Sequence, residues 1–131
     1  MNYRGTIIEE SLENKEVLKS VNILETKVKR ATEHEKTPWL KQWTFHTVEI
    51  PPERAKEVAM MLSHSLDQQH QSSWYADFKN DTEHIIIFRN KIFRLDRSKP
   101  HEYAAVTAYG MKRGIPEHQL DFSSHLITLT T

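Results

Sequence analysis

The peptide Trp74-Tyr75-Ala76-Asp77-Phe78 carries the most pointed chemistry in this chain. Read as a strand, it sends Trp74, Ala76 and Phe78 to one face and Tyr75 with Asp77 to the other. A lone carboxylate among apolar neighbours is costly to bury, so Asp77 needs a partner. Arg94 and Arg89 on the following strands are the expected guanidinium partners. With Tyr75, and with His46 as a base, they would line a small polar cleft suited to ligand binding or proton transfer. The plainer reading of the same residues is a structural ion pair inside a sheet.

Other chemistries find less support. The eight histidines are His34, His46, His64, His70, His84, His101, His118 and His125. No two lie three or four apart, the spacing that places two zinc ligands on one helix face. His34-Glu35 opens like H-E-x-x-H, but position 38 is proline. Ser63-His64-Ser65 falls in a helical stretch, where adjacent residues point apart and make no dyad. With no cysteine, thiolate nucleophiles, disulfides and iron–sulfur clusters are excluded. Three glycines, Gly5, Gly110 and Gly114, cannot build a phosphate-cradling loop. Neither a metal nor a cofactor is expected. Residues 89–99 hold five positive charges and one negative around Phe93, a pattern suited to nucleic acid. Against that, eighteen Lys plus Arg balance eighteen Asp plus Glu, and specific nucleic-acid binders are usually basic overall.

The elements that must position these residues follow from periodicity. Residues 3–9 are short and β-branched, which predicts a first strand. Leu24, Thr26 and Val28 alternate with Glu25, Lys27 and Lys29, which predicts a half-buried strand over 24–30. Trp39 to Ile50 reads as a third, stopped by Pro51-Pro52. Ala55, Val58, Ala59, Leu62 and Leu66 form one helical stripe. Strands are expected over 73–78, 84–89 and 91–96, the last two closed by an Asn90-Lys91 turn with Phe88 facing Phe93, Ile86 facing Leu95 and Ile87 facing Arg94. A second helix opens at Ser98 and Pro100 and ends near Arg113, since Gly114-Ile115-Pro116 is a stop signal. Residues 32–38 read as a loop, 116–120 as a further helical turn, and 125–131 as a strand or tail.

In Trp74–Asn80, Ile87–Phe93, Tyr109–Pro116 and Gln119–Phe122, the chain resembles small bacterial proteins of no known function. The resemblance implies a compact bacterial cytosolic domain and assigns no activity, cofactor or site.

Residues 1–131 are therefore expected to form a single α+β domain: an antiparallel sheet of five to six strands with two main helices packed on one face. With mean hydropathy −0.67, no membrane-length apolar run and no apolar secretion signal, the expectation is a cytoplasmic protein. The leading functional reading is a non-enzymatic binding or protein-interaction module. The alternative is a small ligand-binding protein or enzyme built on the cleft of Tyr75, Asp77, Arg89 and Arg94; a nucleic-acid module comes third. Isoleucines 85, 87 and 92 share a second apolar face, which predicts a homodimer through the open side of the sheet.

Overall fold

A computed structural model describes residues 2–30, 42–66, 74–115 and 120. The loop expected over 32–38, the turn over 116–119 and the tail over 125–131 lie outside the described residues.

Among the described residues, six strands form one antiparallel sheet: β1 (Tyr3–Ile8), β2 (Asn22–Arg30), β3 (Gln42–Ile50), β4 (Tyr75–Lys79), β5 (Glu83–Phe88) and β6 (Lys91–Asp96). Their order is β2-β3-β1-β4-β5-β6. Short 3-10 turns occupy Glu9–Ser11, Lys15–Ser20 and Pro52–Arg54. The helices are α1 (Ala55–Ser65) and α2 (Pro100–Lys112). The expected α+β class is the one observed, and no described helix is long and apolar enough to cross a membrane.

The helices' placement differs from expectation. They lie on opposite faces of the sheet. The stripe Ala55, Val58, Ala59 and Leu62 of α1 packs with Tyr3, Ile7, Val48, Ile50, Phe78, Ile85 and Ile87. On the other face, Tyr103 and Val106 of α2 pack with Ile86, Phe88 and Leu95. Successive residues of β5 thus enter different cores, as the two-residue side-chain period requires. Ile85 and Ile87, whose apolar face was the motive for a second subunit, are fully buried beneath α1.

The β5–β6 hairpin closes through Arg89-Asn90, with Asn90 at φ 60°, one residue earlier than expected. Phe88 consequently faces Lys91, Ile87 faces Ile92, Ile86 faces Phe93 and Ile85 faces Arg94. Each partner differs from the expected one by two positions, an even shift that leaves every side chain on its expected face. Ser63 of α1 ties the hairpin down: its hydroxyl donates to the Phe88 carbonyl at 2.8 Å, and its carbonyl accepts from the Asn90 N–H.

Helix α2 ends as its sequence predicts. Gly114 sits at φ 92°, the Ile115 N–H donates to the Gly110 carbonyl, and the Gly114 N–H donates to Met111. These two bonds satisfy terminal carbonyls, while buried Ile115 closes the end against the α2 core.

Candidate functional site

On the α2 face, β4 presents Tyr75 and Asp77, β5 presents His84, and α2 presents Tyr103. Asp77 lies across from Ile86 and Lys79 across from His84, so Asp77 and His84 are diagonal neighbours on one face. His84 Nε2 is 2.7 Å from Asp77 Oδ2 and its Nδ1 is 3.0 Å from the Tyr103 hydroxyl. An ionised Asp77 only accepts, so Nε2 carries the proton; in the neutral ring, Nδ1 accepts from the Tyr103 O–H. The result is a continuous Tyr–His–Asp hydrogen-bond chain. His84 has no exposed surface, whereas the Asp77 side chain is 24% exposed. Burial and the nearby Asp77 charge push the Tyr75 phenol up to about 12. Burial also raises Tyr103, reinforced by Asp77 and opposed by Arg97. Lys79 is held below its ordinary value by burial and by Arg97.

The guanidinium partners expected for Asp77 are elsewhere. Arg94 faces Ile85 in the hairpin and so points to the opposite face. There its Nη2 meets Glu83 Oε1 at 2.7 Å, and the Tyr3 hydroxyl donates to the same oxygen. Burial alone would raise the Glu83 carboxyl, but the bonds from Arg94 and Tyr3, with the Arg94 charge, hold it below its ordinary value. Arg89, in the hairpin turn, donates from Nη1 to the carbonyls of His64 and Leu66 and pairs with Glu13 at 3.3 Å. The reason is register: the β5–β6 ladder places Arg94 opposite Ile85, while Asp77 shares the face of Ile86.

His46 stands apart on β3, on the α1 face. Its Nε2 is 3.1 Å from Glu9 Oε1 and its Nδ1 is 2.9 Å from the Thr26 hydroxyl. Beside it, the Glu10 carboxylate accepts from the Thr44 N–H and hydroxyl. The five residues expected in one cleft therefore occupy four places: Tyr75 with Asp77, Arg89 at the hairpin turn with Glu13, Arg94 with Glu83, and His46 with Glu9 and Thr26. Sequence reading passed over His84 and Tyr103. The available signal was a histidine opening a run of three isoleucines, where a buried imidazole needs partners.

Among the described residues, no group of three His, Asp or Glu side chains is arranged to hold a metal ion. His34, His70, His118 and His125 lie outside the described residues. In the basic stretch 89–99, Arg89 and Arg94 are paired with carboxylates, Arg97 donates to the Asn80 carbonyl, and Lys91 lies 5.2 Å over the Phe93 ring.

The least protected part of the sheet is β2. Its described side chains are exposed from Asn22 to Lys29, including Ile23, Leu24 and Val28 at 40%, 45% and 61%. The half-buried strand expected here is instead an edge strand whose apolar residues face solvent. Among the described residues it pairs with β3 alone, and a bulge interrupts that pairing between Ile23 and Glu25. Comparison with known protein families, curated proteins and solved structures returns no match.

Proposed function

We propose that this chain is a non-enzymatic interaction domain that accepts an extended protein segment along the edge of β2. The observation that carries this reading is the nine-residue edge strand with Ile23, Leu24 and Val28 exposed. Such an edge offers a row of backbone donors and acceptors, and natural sheets usually guard it. The opposite edge, β6, is shorter and buries Leu95, and its apolar Ile92 and Phe93 are partly covered. An added strand at β2 would draw affinity from main-chain bonds and selectivity from alternate side chains.

The ionisable groups favour this reading over a catalytic one. His84 meets Asp77 through one ring nitrogen and Tyr103 through the other, with the imidazole sealed from solvent. His46 is committed to Glu9 and Thr26.

The test is to pan a display library of random linear peptides against the protein. The expected result is binders that lose affinity at least about tenfold with Val28→Pro, which removes both a backbone donor and an apolar contact. Amide protection on binding should map to Asn22–Arg30. Binders that ignore Val28→Pro, or none at all, would reject the reading.

A further inference from the structure

We infer that the strand added to β2 is β2 of a second copy, paired antiparallel about a two-fold axis through Thr26. This rests on the reading of β2 as a strand-accepting edge and names its occupant.

The argument is one of register. Two identical antiparallel strands related by a two-fold axis must keep paired residues on the same face, so the axis passes through a residue and not between two. The bulge breaks the strand at Leu24, which leaves few choices within Glu25-Thr26-Lys27-Val28-Lys29. An axis through Glu25 sets two carboxylates face to face. An axis through Lys27 sets two ammonium groups together. An axis through Val28 opposes Lys27 to Lys29 twice. Like charges directly opposite are destabilising. An axis through Thr26 pairs Glu25 with Lys27 of the other copy, twice, with the two Thr26 residues meeting at the centre.

The faces agree with this register. Thr26 lies across from His46 and Val28 across from Thr44, both on the α1 face. Lys27 and Glu25 lie across from Phe45 and Thr47 on the other face. Within one chain, Lys27 Nζ is already 3.7 Å from Glu25 Oε1, with both side chains more than half exposed. Across the axis, these two pairs become a ring of four alternating charges. The bulge between Ile23 and Glu25 limits the regular ladder about this axis to residues 25–27, a short seam that gives a concentration-dependent dimer and not a permanent one.

The experiment uses charge reversal and sedimentation equilibrium over about 1–300 µM, the range where small interfaces associate. The unmodified chain should move from 15.5 kDa towards twice that mass. Glu25→Lys and Lys27→Glu, each alone, should weaken association at least about tenfold, because each sets two like-charge pairs across the seam. An equimolar mixture of the two variants should associate again, since each then meets its opposite. Melting curves of the separate variants confirm that both stay folded. A chain monomeric throughout, single reversals that leave the dimer intact, or a mixture that fails to associate would each overturn the inference. If the chain is monomeric while selected peptides still bind at β2, the second copy is rejected and the strand-accepting edge stands. If both fail, the edge reading falls as well.

Discussion

His84 is the residue on which the α2 face turns. A fully buried imidazole is tolerated because both ring nitrogens are engaged, one by Asp77 and one by Tyr103. Asp77→Ala should remove the carboxylate that accepts from the Nε2–H and cost about 1–3 kcal/mol, read as a lowered urea midpoint with an unchanged slope. A midpoint equal to that of the unmodified chain would show that His84 does not depend on Asp77. The neighbouring phenol makes a pH prediction. Tyr75 titrates at about 12 when folded, against 10.0 ordinarily. Between those values the unfolded chain has released a proton that the folded chain keeps. This contribution is therefore whole below pH 10 and is lost as pH rises through about 12. Tyr75→Phe should flatten that alkaline fall in melting temperature; an identical fall in both proteins would refute the assignment. That Asp77 needs a partner was legible from its apolar neighbours. Which partner was not, because β5 is apolar on both faces and its pattern does not reveal that Asp77 lies across from Ile86.

Elements were more legible than pairings. The helical stripe from Ala55 to Leu66, the proline start of α2 and its glycine stop all act locally, within a few residues. The structure bears them out, except that Leu66 lies one residue past α1 in extended backbone, bridged to Leu12. Gly114→Val should cost about 1–2 kcal/mol, because a Cβ at φ 92° crowds the backbone even though the space around it is open. A melting temperature unchanged by this substitution would contradict the role of the turn. Gly5 is constrained differently: a Cβ there would lie 2.0 Å from the Asp77 carbonyl oxygen, so β1 and β4 meet closely at this point. Nothing in residues 3–9 alone announces that contact, since it depends on β4 lying beside β1. The same holds for β2, whose alternation is that of a half-buried strand. Position at the end of the sheet order, and not its own pattern, leaves its apolar residues exposed.

At the scale of the molecule, the sheet separates two cores, and among the described residues the α2 core is the smaller. The α1 core draws on β1, β3, β4 and β5, whereas the α2 core rests on Ile86, Phe88 and Leu95 of the hairpin with Tyr103, Val106, Ile115 and Leu120. The smaller core should open first. Val106→Ala should remove roughly 2 kcal/mol of packing and speed native-state amide exchange throughout α2, while α1 amides keep their protection. Equal acceleration in both helices would show that the two layers unfold as one unit. Apolar residues on both faces of β5 were visible in the sequence and correctly demanded two covering layers. Each layer is a helix of the same chain.

The doubly covered strand β5 has a consequence for the order in which the chain is made. Ile85, Ile86 and Ile87 leave the ribosome before any residue of α2, so a nascent chain can shelter Ile85 and Ile87 under α1 while Ile86 and Phe88 still wait for their cover. During that interval the hairpin presents one greasy side and high β-propensity, the features that seed aggregation between growing chains. Glu83, Arg89 and Lys91 flank the segment as charged gatekeepers. Slow translation through residues 100–112 would prolong the exposure, and a chain halted at residue 99 should partition into aggregates that the full-length product avoids.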